Sequence, residues 1–60
     1  MYVPQVMERV LFDGRTGVFV VSWVDQERQE ADLMPAHLGL FVEETVVFSR
    51  LRPWRENIPL

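Results

Sequence analysis

Apolar residues along this chain fall in short blocks separated by turn-forming or charged residues. The first strong break is Asp13-Gly14-Arg15-Thr16-Gly17, where two glycines are free to take positive φ in a tight turn. Val6 to Phe12 precede it and Val18 to Val24 follow it, both rich in apolar, β-branched and aromatic residues. That arrangement predicts a β-hairpin. Its second arm, Val18-Phe19-Val20-Val21-Ser22-Trp23-Val24, has the strongest strand character in the chain, because such side chains favour a pleated surface.

Two readings compete for Asp25 to Met34, which Pro35 follows. Asp25 is a good helix cap, and most residues up to Pro35 are good helix formers. Yet the first six positions carry no apolar stripe, so a helix there has little to bury. The other reading is a polar turn over Asp25 to Arg28 and a strand from Gln29 to Met34. Ala31 and Leu33 then point inward, Glu30 and Asp32 outward. The strand is the favoured reading. Pro35 to Phe41 reads as a loop or a single helical turn that Gly39 can end. Glu44-Thr45-Val46-Val47-Phe48-Ser49 reads as a further strand, which Ser49-Arg50-Leu51-Arg52-Pro53-Trp54 continues through a bend. Residues 55–60, with Pro59, read as a C-terminal arm.

Four to five short antiparallel strands and no certain long helix predict one mainly β domain over residues 1–60. It takes the form of a small SH3-like barrel or a strongly curved sheet. The alternative is an α+β arrangement with a short helix around residues 25–34. The strand-turn-strand opening around Val10-Leu11-Phe12-Asp13-Gly14, the strand ending in Trp23-Val24-Asp25, and the closing segment from Val46 to Pro53 are similar to SH3-like small β-barrels. The Tudor, agenet and chromo-barrel group shows the resemblance best, over roughly residues 6 to 53. It implies that fold, and Tudor-type readers hold a methylated side chain in an aromatic cage by cation–π attraction. Here the cage would recruit Phe12, Trp23, Phe41 and Phe48 with Asp13 or Asp25. Chromodomains also end in a helix, for which the segment after Glu44, with Pro53 and Pro59, leaves no room.

Burial changes the picture most. In regular alternation the central strand is apolar on both faces, with Val18, Val20 and Val24 on one and Phe19, Val21 and Trp23 on the other. The last long strand does the same, Val47 and Leu51 against Val46 and Phe48. A chain of about 60 residues has one small core and buries only about 60% of its unfolded surface. Large apolar patches left outside mark an interface. With no cysteine and so no disulfide framework, association is the simplest reinforcement. The expectation is a homo-oligomer, most simply a dimer, with Phe19, Val21, Trp23, Val46 and Phe48 at the interface. A protein or peptide partner would satisfy the same surface.

Nine acids against six bases give a net charge of −3, the opposite of a generic polyanion binder. The distribution is uneven, with six acids and one base between Asp25 and Glu44. Arg50, Arg52 and Arg55 then cluster around Trp54 with no acid among them. Such a segment can grip nucleic acid through guanidinium–phosphate contacts and base stacking, and that is the second functional reading. The bland reading pairs these arginines with the acidic half and lays Trp54 on apolar surface. All six bases are arginine, which makes better planar carboxylate pairs than lysine.

Catalytic chemistry has few candidates. His37 stands alone between Pro35 and Gly39, and Glu43 and Glu44 face opposite sides of a strand. One histidine and no cysteine fit no classical zinc site, and no glycine pattern precedes a helix to hold phosphate. No catalytic residue, metal or cofactor is assigned. An oligomeric enzyme with a pocket between subunits is the third reading. No apolar run reaches the roughly 18 residues of a membrane span, and the first residues lack the pattern of a signal peptide, so the expected location is cytoplasmic.

Overall fold

The computed structural model describes residues 1–36 and 43–55 of the chain. They form five strands, β1 (Arg9–Phe12), β2 (Phe19–Asp25), β3 (Glu30–Pro35), β4 (Glu44–Val47) and β5 (Leu51–Pro53), with a 3-10 turn (Phe48–Arg50) before the last. All lie in one antiparallel sheet in the order β4-β3-β2-β1-β5, and the sheet does not close. The fold is mainly β.

The β1–β2 hairpin forms around the glycines. The Arg15 N–H donates to the Phe12 carbonyl at 3.0 Å, and Gly14 and Gly17 take φ of 87° and 96°. Upstream of β1 a second turn does similar work without glycine. The Glu8 N–H donates to the Gln5 carbonyl at 3.0 Å, and Met7 sits between them with φ of 75°. Met7 then donates to the Val21 carbonyl while the Val21 N–H returns to the Glu8 carbonyl. This is a bulge in which the first residue takes the left-handed conformation that glycine usually supplies. The strand therefore begins at Arg9, later than the apolar block from Val6 had indicated.

Asp25 caps a turn, not a helix. Its Oδ1 accepts the N–H groups of Glu27 at 3.1 Å and Arg28 at 3.2 Å. The chain then reverses through Gln29 at φ 55° into β3. The capping chemistry of aspartate is the same in both cases; here there is no apolar stripe for a helix to bury. Ala31 and Leu33 are buried as the alternation required, and a helix over 25–34 is not formed.

β2 pairs with β3 in two registers, Val21 opposite Leu33 and Trp23 opposite Asp32, with an extra residue between them. The Ser22 hydroxyl donates to the Asp32 carbonyl across this bulge at 3.2 Å. One inserted residue reverses the faces beyond it. Phe19 and Val21 point into the core, and Val24, opposite buried Ala31, is also packed against the core. Trp23 is turned out, 63% exposed. Strict alternation across β2 is thereby corrected.

The core contains Val10, Phe12, Phe19, Val21, Ala31, Leu33, Val46, Phe48 and Leu51. Phe12 and Phe19 meet edge-to-face with centroids 5.9 Å apart. The Arg15 guanidinium stands 5.8 Å from both rings and pairs with Glu44 at 2.7 Å, so the β1–β2 turn is tied to β4. The N-terminal segment contributes more than its apolar pattern indicated: Pro4 is fully buried and Tyr2 packs on the core, while Val3 faces solvent.

Candidate interaction surface

Of the five residues expected at an interface, four are enclosed by their own chain. Phe19, Val21, Val46 and Phe48 are core residues, so the surface set is corrected to Trp23 alone. Phe19 and Val21 precede the bulge on the inner face of β2, and three phenylalanines, Phe12, Phe19 and Phe48, share one core. Among the described residues, the large apolar side chains that remain outside are Trp23 and Val47 on the sheet and Met1, Val3, Val6 and Met7 before it.

Trp23 lies on the outer face of β2, in a row with Asp32 and Thr45 on the next strands. Thr45 donates its hydroxyl to the Asp32 carboxylate at 2.7 Å, which holds that row together. Half-buried Val20 and Met34 pair on the same face, and Val47 stands opposite Glu30. This half of the outer face is thus apolar in patches within an acidic frame of Asp25, Glu30 and Asp32.

The arginine segment is engaged within the chain. Arg50 donates to the Asp13 carbonyl at 2.8 Å and its guanidinium lies 4.6 Å from the Phe12 centroid. Arg52 pairs with the Asp13 carboxylate at 3.0 Å. The Trp54 N–H donates to the Arg9 carbonyl, and the Arg9 guanidinium stands 5.7 Å from the indole. Arg55 is exposed. Arg50 and Arg52 therefore converge on the hairpin turn and clamp β5 to β1.

The aromatic cage is not assembled. Phe12 and Phe48 belong to the core and Trp23 is on the outer face. Phe41 and His37 lie outside the described residues, as does the arm beyond Arg55. Among the described residues there is no pocket and no cluster of potential metal ligands. No helix there is long and apolar enough to cross a membrane.

No known protein family, curated protein or solved structure matches the chain. The functional reading rests on the surface itself.

One buried polar group stands apart. The Tyr2 hydroxyl is removed from solvent without a hydrogen-bond partner of good geometry. Burial, and then the nearby Glu8 carboxylate, holds its ionisation well above the usual phenol range; Arg55 opposes them weakly.

The sheet edges differ, and composition did not reveal it. β4 bonds to β3 through its even-numbered residues, as the Phe48 N–H to the Gln29 carbonyl at 2.8 Å establishes for the register. Bonds alternate along an antiparallel ladder, so the backbone groups of Thr45 and Val47 point off the edge. β5 bonds to β1 through Arg50, Arg52 and Trp54, which leaves Leu51 and Pro53 facing outward. There the Leu51 N–H is taken by the Phe48 carbonyl and Pro53 has none. The signal available in sequence was Pro53, whose meaning depends on which way that residue faces.

Proposed function

We propose that this protein is a non-enzymatic interaction module that works as a homo-oligomer, built on an open, SH3-like five-stranded sheet. The observation that carries the reading is Trp23, 63% exposed on the outer face of β2, with Val47 exposed on the same face two strands away on β4. A tryptophan is a costly side chain to leave in water, and Trp is enriched where proteins meet. The surrounding Asp25, Glu30, Asp32 and Thr45 supply the polar rim that interfaces carry around an apolar centre. The SH3-like reading is supported by the strand order β4-β3-β2-β1-β5 with a 3-10 turn leading into the last strand.

Nucleic-acid binding has less support, since Arg50 and Arg52 already face Asp13 and the net charge is −3. The deciding experiment is solution mass by light scattering coupled to size exclusion, over a hundredfold range of concentration. A multiple of the 7.1 kDa protomer is expected. A monomer at every concentration rejects the homo-oligomer.

A further inference from the structure

We infer that two copies of this chain join through β4, antiparallel about a two-fold axis at Val46, so that their sheets become continuous. This rests on the homo-oligomer reading and adds to it a contact at the sheet edge, which leaves Trp23 on the outer face.

Any strand added to the sheet by hydrogen bonding needs an edge with free donors and acceptors. At β4 the N–H and C=O groups of Thr45 and Val47 point away from β3, and no described strand pairs there. At β5 the outward donors are gone, one spent on the Phe48 carbonyl and the other absent at Pro53. A head-to-tail contact of β4 with β5 of another copy would lack those donors. Among the described strands the edge that complements β4 is a second β4, and an isologous contact of that kind closes at two copies.

Register and direction follow from faces and charges. Thr45 and Val47 share the outer face and Val46 lies on the inner one. Thr45 of one copy therefore pairs with Val47 of the other, each donating and accepting, while Val46 meets its own counterpart at the axis. Exposed Glu43 immediately precedes β4. Antiparallel pairing sets the two Glu43 side chains at opposite ends of the contact; parallel pairing would stack Glu43 on Glu43. The run Thr45-Val46-Val47 carries no proline or lysine to blunt the edge, and both Trp23 side chains come to lie on one continuous outer face.

Val47 offers a clean test. Its φ is −68° and ψ 148°, a conformation proline adopts, and its N–H makes no bond to β3. Val47→Pro should keep the fold, seen as unchanged circular dichroism, while halving the mass measured by light scattering. Amide exchange on the wild-type chain provides a second reading. Thr45 and Val47 should be protected at high concentration and lose that protection on dilution, with the Phe48 amide as an internal reference. A folded Val47→Pro variant that keeps the wild-type mass overturns the edge contact, as does rapid exchange at Thr45 and Val47 in a stable oligomer. In both cases the homo-oligomer stands and its interface lies elsewhere. A monomeric wild-type chain removes both, and leaves the edge to a strand of another protein. Should Val47→Pro not fold, the exchange result decides alone.

Discussion

The two edges of this sheet are built from similar material and present different chemistry. β4 is Glu-Thr-Val-Val and β5 is Leu-Arg-Pro; each is short, and each has a charged residue and a buried apolar one. Hydrophobicity does not separate them. The direction of a few N–H groups does. At β5 the 3-10 turn folds back to take the Leu51 donor, Pro53 removes the next, and Arg50 and Arg52 fasten the strand to the hairpin turn through Asp13. At β4 the corresponding positions are Thr45 and Val47, whose backbone groups face outward. An edge is protected by accounting for its donors, and on the proposed contact one blunted edge and one open edge would let this sheet pair once instead of polymerising.

The sharpest way to break this comparison is to place proline one residue earlier. Val46 lies in the register that bonds to β3, and its side chain is 4% exposed. Val46→Pro should cost about 3 kcal/mol or more, from the lost ladder bond and the lost core side chain together, and leave the chain largely unfolded by circular dichroism. If it is tolerated as well as Val47→Pro, the assignment of inward and outward donors on β4 is wrong.

The opposite edge can be opened. Pro53→Thr restores an outward N–H on β5, and the expected result is concentration-dependent growth beyond the wild-type mass in light scattering. A variant that keeps the wild-type mass would place the protection of β5 in something other than its missing donor.

Smaller effects test the supports behind each edge. Met7 holds a left-handed conformation at φ 75° while its side chain is 77% exposed, so Met7→Gly removes strain and little packing. It should stabilise the chain by about 1 kcal/mol in a denaturant titration, the usual scale of the left-handed penalty less the entropy of glycine. Asp13→Ala removes the carboxylate that Arg52 grips. Both partners are about half exposed, so the loss should be at most about 1 kcal/mol and should shrink with added salt.

The smallest expected effect is alkaline. The folded chain raises the Tyr2 phenol above its ordinary value, chiefly by burial. A raised folded value means stability that is complete below the ordinary phenol pKa of about 10 and declines as pH rises from there toward the folded value. Tyr2→Phe should abolish the decline caused by this group and should change stability at neutral pH little, since the hydroxyl it removes makes no hydrogen bond of good geometry. Melting temperatures from pH 8 to 11 measure both.

Much of the fold was legible. Gly14 and Gly17 marked the hairpin because the turn needs positive φ and glycine takes it without strain. Alternation placed Ala31 and Leu33 inside, and the absence of an apolar stripe removed the helix over 25–34. Met7 escaped notice because nothing in a methionine advertises a left-handed conformation. The candidate surface was less legible. Trp23 was read into the same face as Phe19 and Val21, and a single bulged residue, marked by no glycine or proline, turned it outward.

The amino-acid sequence by itself determined the strand-rich class, the hairpin and the inner face of β3. These depend on local backbone preference and on the two-residue period of side chains, both of which are properties of neighbouring residues. Only the tertiary structure decided which face Trp23 occupies, that Phe19, Val21, Val46 and Phe48 share a core, and which edge keeps its donors. Those outcomes hang on register, and register is a relation between strands distant in sequence. Shifting it by one residue exchanges inside for outside and bonded for free, while the composition stays the same.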